Sequence, residues 1–191
     1  AVSSFKFGTT FKSTRDERFP FTLDFLAGLN LGDEPVVLDV GSSDGVTSAW
    51  VMTKLDFALY FVTDLNPEVG HYQVGENSYF YDQDDKCILI ANDRFIVYPE
   101  HHGSFRPVAF LVDWLYGSAP VSPAELAKVE LINPVVRKAA GRVEVRQHDL
   151  FTAWQFDKAN LVIAANVLNR AYFSDERLKH GLKQLKEALE P

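Results

Sequence analysis

The chain has little of what several classes of protein need. It contains one cysteine, Cys87, which excludes an internal disulfide and most cysteine-based metal sites. Such sparse cysteine is typical of a reducing compartment, so we expect a cytoplasmic protein. No apolar run reaches the roughly 18–20 residues of a membrane span. No basic segment followed by an apolar one opens the chain, so we also expect no signal peptide.

Positive charge is scarce as well. The 191 residues carry a net charge of −7, and the stretch from Asp33 to Glu100 holds 13 acidic but only 3 basic residues. Nucleic-acid binding needs a basic face, so we expect no nucleic-acid partner. One basic group is interpreted as the solvated face of a helix: Lys128, Arg137, Lys138, Arg142 and Arg146.

The most informative stretch is VVLDVGSSDGVTSAW, residues 36–50. An apolar strand leads into a polar turn bounded by Gly41 and Gly45, and a segment that can be helical follows. Glycine lets a backbone turn sharply and approach a ligand, and the next helix presents free N–H groups. A dinucleotide site would read Gly-x-Gly-x-x-Gly, but Ser43 and Val46 stand at its second and third glycine positions. A nicotinamide-dependent enzyme is therefore disfavoured.

Four apolar segments predict parallel strands covered on both faces: residues 36–40, 59–63, 143–146 and 161–167. Helices are predicted over residues 21–31, over residues 45–55 and from Ser174 onward. The sequence therefore predicts an α/β fold with a doubly wound, mostly parallel sheet. An N-terminal arm and helix (1–35) precede the ligand-binding domain (36–191), and residues 1–20 are interpreted as an extended arm or a short helix.

Nearly eighty residues separate the second and third strands, far more than a helical crossover needs. An insertion of a β-hairpin and a helix is therefore predicted over about 70–121, with antiparallel strands and tight turns at 83–86 and 92–93. A capping box at 122–125 then predicts a helix through about Ile132. We expect the insertion to determine substrate choice, because such loops often carry specificity.

The segment from Phe105 to Tyr116 is strongly apolar. Packing as a lid or core helix of the insertion is the favoured interpretation. It could also line an apolar acceptor pocket or make a weak contact with a membrane surface, although its charge is low for an interfacial helix.

Polar residues stand at the end of each predicted parallel strand: Asp39 with Gly41, Asp64, Asp149 and Asn166. In such sheets ligands bind outside the carboxyl ends of the strands. A carboxylate after the second strand suits the two hydroxyls of a ribose. One after the third strand suits an exocyclic amine such as that of adenine.

This pattern resembles the class I S-adenosylmethionine-dependent methyltransferases. Their first motif, acid-x-Gly-x-x-x-Gly, is matched by residues 39–45, with Ser43 in place of the middle glycine. Their ribose-binding acid matches Asp64 in YFVTDLNP, and their adenine-contacting acid matches Asp149 in QHDLF. Their fourth strand matches LVIAANVL, which is followed by a helix that ends in Leu-Glu-Pro.

The resemblance implies a transferase that uses S-adenosyl-L-methionine and releases S-adenosyl-L-homocysteine. Its cofactor-binding residues would be Asp39, Gly41, Ser42, Ser43, Gly45, Asp64, Leu65, Asp149, Leu150 and Asn166. For Asp39, holding the turn and touching the ligand are equally weighted. A small molecule, a lipid-like molecule and a protein all stay open as methyl acceptor.

No catalytic residue is assigned, because methyl transfer to a nucleophilic acceptor needs no acid and no metal. The candidate bases are His71, His101, His102, His148 and Tyr172. No metal site is expected, since the adjacent histidines lack a third ligand nearby.

A second class of function stays open, namely a non-catalytic cofactor-binding or interaction module of the same fold. The fourth strand would leave a bare sheet edge if the chain ended at Pro191. We therefore expect this chain to be part of a longer protein with further strands. Pairing by another chain, as in a homodimer, is the alternative.

Overall fold

The computed structural model describes residues 2–7, 10–15, 20–99, 126–139 and 142–191. Its strands are β1 (Val2–Phe7), β2 (Thr10–Arg15), β3 (Val36–Val40), β4 (Leu59–Asp64), β5 (Glu68–Val74), β6 (Asn77–Tyr81), β7 (Cys87–Ala91), β8 (Ile96–Val97), β9 (Ala127–Glu130), β10 (Arg142–Gln147) and β11 (Leu161–Ile163). Its helices are α1 (Pro20–Ala27), α2 (Val46–Met52) and α3 (Asp175–Ala188), with a short 3₁₀ turn at Val136–Lys138. These elements give a mixed α/β structure.

Four of the strands form a parallel sheet in the order β10-β4-β3-β11. Counted along the chain, this is the order third, second, first, fourth. The predicted parallel sheet is thus confirmed. The fourth strand is shorter than predicted, because β11 ends at Ile163 and the backbone of Asn166 then adopts a φ of +60°.

Both faces of the parallel sheet are buried. One face packs Val37 and Tyr60 against α1, α2 and the 3₁₀ turn. The opposite face packs Leu38 and Phe61 against Leu185 and its neighbours on α3. Strands covered on both sides need apolar residues at nearly every position, and β4 is accordingly buried throughout.

A second sheet has five antiparallel strands in the order β8-β7-β6-β5-β9. By their contacts, the described residues group into two compact units, one holding the parallel sheet and the other holding β5 to β9. The predicted antiparallel strands of the insertion are confirmed in β6, β7 and β8. The turn at 83–86 is also present, where the Asp82 side chain accepts the N–H groups of Asp84 and Lys86 at 3.0 Å.

The helix predicted through Ile132 is wrong over its described part. Residues 127–130 form β9, in which Val129 pairs with Val69 of β5. Val129 and Leu131 pack into one apolar cluster while Lys128 and Glu130 are exposed, which is the two-residue period of a strand. The capping box itself and Phe105–Tyr116 lie outside the described residues.

The interpretation of the basic group as one helix face is also wrong. Arg142 and Arg146 lie on β10, where both pair with Glu144, and the Arg146–Glu144 distance is 2.5 Å. Lys128 lies on β9 and forms an ion pair with Glu68 at 2.6 Å. The remaining two members lie in the 3₁₀ turn.

Two helices are shorter than predicted, and one of them is α2, which covers Val46–Met52 rather than residues 45–55. α1 ends at Ala27 rather than Leu31, because glycine and asparagine follow within three residues and disfavour helix. The start of α3 is confirmed, with Ser174 as the cap that accepts the N–H of Arg177 at 3.4 Å. At the N-terminus, β1 and β2 form a two-stranded sheet. No helix among the described residues is long and apolar enough to cross a membrane.

Candidate functional site

The turn between β3 and α2, residues 41–45, is the centre of the candidate site. Gly41, Ser43 and Gly45 all have positive φ, at +69°, +62° and +75°. Both glycines are also closely packed. A Cβ on Gly41 would lie 2.6 Å from the Cγ2 of Val167, and one on Gly45 would lie 2.7 Å from the Cγ2 of Val136. Gly41 and Gly45 are therefore each required for two reasons, because the backbone has a positive φ and because no room is left for a Cβ atom.

The turn is tied to the carboxyl end of β4. The backbone N–H and the hydroxyl of Ser42 both donate to the Thr63 carbonyl, at 2.9 and 3.1 Å. The N–H of Ser43 donates to Asp64 Oδ2 at 2.9 Å, and the N–H of Asn66 donates to Asp64 Oδ1 at 2.9 Å. Asp64 is 5% exposed. Its carboxylate therefore fixes the 41–45 turn and the segment after β4 at the same time.

Asp39 lies on β3, two residues before the turn, and is 3% exposed. Its Oδ2 accepts the hydroxyls of Ser48 on α2, at 2.7 Å, and of Tyr60 on β4, at 3.1 Å. The pKa of Asp39 is raised to about 6, mainly by burial and to a smaller extent by the charge of nearby Asp64. The two hydrogen bonds act in the opposite direction and lower this pKa. Burial and then the Asp39 charge raise the pKa of the Tyr60 phenol. The hydrogen bonds of the Asp39 carboxylate are thus made to buried groups of the chain itself.

The end of β10 adjoins the end of β4. The N–H of His148 donates to the Asp64 carbonyl at 3.0 Å. Asp149 forms a local turn in which its Oδ1 accepts the N–H of Phe151 at 3.0 Å. Leu150 is buried against α3. The His148 ring packs edge-on against Trp154 with centroids 5.1 Å apart, and burial lowers its pKa.

The remaining predicted site residues lie at the same edge of the sheet with fewer contacts. Asn166, after β11, is exposed and has a φ of +60°, a conformation that asparagine tolerates. Leu65, after β4, is 45% exposed. Hydrogen bonds thus join the ends of β3, β4 and β10, whereas the segment after β11 meets the 41–45 turn through the packing of Val167 on Gly41.

The candidate bases are dispersed. His71 lies on β5 in the other unit and stacks near Phe80 at 5.0 Å. Tyr172 follows β11 and is 41% exposed. His101 and His102 lie outside the described residues. Within the described ranges, no group of three or more His, Cys, Asp or Glu residues is arranged to hold a metal ion.

Sequence reasoning missed the residues that surround the turn. They contribute hydrogen bonds or packing, and they are Ser48, Tyr60, Thr63, Val136 and Val167. One signal was available. A tyrosine in a strand predicted to be buried on both faces has to find a partner for its hydroxyl, and Asp39 is the acid on the neighbouring predicted strand.

Together, fold and site define a mixed α/β protein whose candidate ligand site lies at the carboxyl edge of a parallel sheet. No protein family, curated protein or solved structure matches the chain.

Proposed function

We propose that the chain binds S-adenosylmethionine at the carboxyl edge of its parallel sheet and is a methyltransferase. The observation that carries the proposal is the strand order. In the order β10-β4-β3-β11, the crossover direction reverses between β3 and β11, and ligands in such sheets bind at this reversal. The 41–45 turn, which follows β3, lies at that point and contacts the segment after β11. The Ser43 and Val46 mismatches argue for this cofactor over a dinucleotide.

The donor and acceptor chemistry of the edge suits this cofactor. Each oxygen of a carboxylate can accept two hydrogen bonds, so the two hydroxyls of a ribose can join the N–H donors at Asp64. The half-buried Asp149 can accept from an exocyclic amine. When bound, the cofactor supplies a methyl group on a sulfonium, and its transfer leaves the thioether S-adenosylhomocysteine. The residues of the edge would hold and orient it, which suffices for a nucleophilic acceptor.

A second candidate function is a non-catalytic module of the same fold. The burial of Asp39 and Asp64 and their hydrogen bonds within the chain favour it, because both acids already serve the fold. The acceptor of a methyl group, whether small molecule, lipid-like molecule or protein, is part of the first proposal only.

Isothermal titration with S-adenosylmethionine, and separately with S-adenosylhomocysteine, tests the proposal. We expect micromolar binding by the wild type and a loss of about 100-fold or more in Asp64→Ala, since two hydrogen bonds to a charged group are removed. Asp56→Ala is the matched control, because Asp56 is exposed and precedes the same strand at its amino end. Thermal unfolding of each variant checks that it is folded.

Absence of binding by folded wild-type protein would reject the cofactor and leave a non-catalytic interaction module. Equal affinities of the wild type and Asp64→Ala would reject the site while keeping the cofactor.

A further inference from the structure

Asp39 lies on β3, two residues before the 41–45 turn, and connects β3 to α2 and β4. Its carboxylate accepts the hydroxyls of Ser48 on α2 and Tyr60 on β4, and its carbonyl accepts the hydroxyl of Thr63 at 2.9 Å. Ser48, Tyr60 and Thr63 are all completely buried. The Thr63 carbonyl in turn accepts both donors of Ser42 in the turn. Thr63 therefore links the main-chain carbonyl of Asp39 to the turn, while the carboxylate joins β3 to α2 and β4.

The strand neighbours of Asp39 are apolar, and the charged group that acts on its carboxylate is Asp64. In register, its neighbours are Val62 on β4 and Ile163 on β11. The sequence of α2, VTSAWVM, contains no charged residue. Among the described residues, the hydrogen bonds to this carboxylate thus come from two hydroxyl groups, one on α2 and one on β4.

We propose that Asp39 is a positioning residue rather than a ligand contact, and that with Ser48 and Tyr60 it sets the affinity of the 41–45 turn for S-adenosylmethionine. The inference rests on the proposed function. Its physical basis is preorganisation, because a binding turn held in one geometry by buried hydrogen bonds loses less freedom when the ligand binds. The turn needs such support, since three of its five residues have positive φ.

Four variants distinguish positioning from contact. Asp39→Asn retains an acceptor for both hydroxyls, whereas Asp39→Ala removes it. Ser48→Ala and Tyr60→Phe remove one donor each. We expect the asparagine variant to bind within about threefold of the wild type. Ser48→Ala and Tyr60→Phe are expected to bind about tenfold more weakly, the change that a single buried hydrogen bond gives. Asp39→Ala removes both hydrogen bonds and should bind at least as weakly as either of them. Thr53→Ala is the control, because it removes a hydroxyl bond of 2.7 Å to the Trp50 carbonyl at the far end of α2.

Dissociation constants are measured by titration well below the unfolding temperature of each variant, so that a change in global stability alone does not alter them. If Asp39 touched the ligand through its charge, the asparagine variant would lose as much affinity as the alanine variant. That result, or unchanged affinity in Ser48→Ala and Tyr60→Phe, would overturn the inference.

A second measurement does not depend on the ligand. Hydrogen exchange of the Ser42 and Ser43 amides reports the order of the turn itself, because both amides are hydrogen-bonded to β4. We expect faster exchange in Asp39→Ala and wild-type exchange in Asp39→Asn. If the wild type does not bind the cofactor, the proposed function fails while this experiment still tests the positioning role, and equal exchange in all variants would reject it.

Discussion

Replacing Gly45 with alanine is expected to lower the free energy of unfolding by about 3–4 kcal/mol, as two independent costs add. The backbone at Gly45 has a φ of +75°, a left-handed conformation that costs about 1–2 kcal/mol for a residue with a Cβ. The new Cβ would also lie 2.7 Å from the Cγ2 of Val136, a completely buried side chain. Overpacking of a filled core typically costs about 1–3 kcal/mol.

Two further variants separate these costs in urea unfolding. Gly32→Ala has a φ of +81° and no atom within 4 Å of its Cβ, so it should show the backbone cost alone. The double variant Gly45→Ala, Val136→Ala should be more stable than the sum of its single variants predicts, because the smaller side chain makes room. A loss in Gly45→Ala no larger than that in Gly32→Ala would contradict the close packing of the turn on Val136.

The central strands of the parallel sheet could be predicted from the sequence to within a residue or two. β3 stops at the Gly41 turn and β4 stops at Asp64. Each strand is apolar over most of its length because it is buried on both faces. The start of α3 was equally predictable, since a serine cap followed by two acids is a local signal that tertiary packing leaves unopposed.

β9 could not be predicted, because its signal is not local. The preceding capping box favours a helix, while the strand exists through pairing with β5, about sixty residues earlier in the chain. β5 itself has weak alternation, with Gly70 and His71 in its middle. Intrinsic preference is a weak guide where the partner strand determines the structure.

The candidate site was predictable in position and less so in role. A polar residue after a parallel strand must lie at the carboxyl edge, which holds for Asp64, Asp149 and Asn166. For Asp39 the decisive fact is the face on which its side chain lies. The side chain lies on the same face as Val37, which is the face covered by α2. Its second partner, Tyr60, is brought within reach by the register of β3 and β4, and this register is a property of the folded sheet.

Asp39→Asn is expected to change how stability depends on pH. Burial raises the pKa of Asp39 from its ordinary value of 3.8 to about 6, so folding favours the protonated form. The stability that this group contributes is fully present below about pH 4 and is lost as the pH rises through about 6. The asparagine variant keeps an acceptor for Ser48 and Tyr60 and has no proton to lose. Relative to the variant, the wild type should therefore lose about 2 kcal/mol between pH 4.5 and 7.5.

Urea unfolding of both proteins at several pH values measures this difference, in which the titration of the other carboxylates cancels. Tyr60→Phe provides an internal check. The Tyr60 hydrogen bond lowers the Asp39 pKa, so its removal should move the transition to higher pH.

A difference that stays constant with pH would mean that the two hydroxyls fully offset the cost of burial. A slope of the expected sign would mean that the fold carries a destabilising charge at neutral pH directly under the 41–45 turn. Buried acids of this kind are concentrated at functional sites, which would favour a ligand role for this edge of the sheet over a purely structural one.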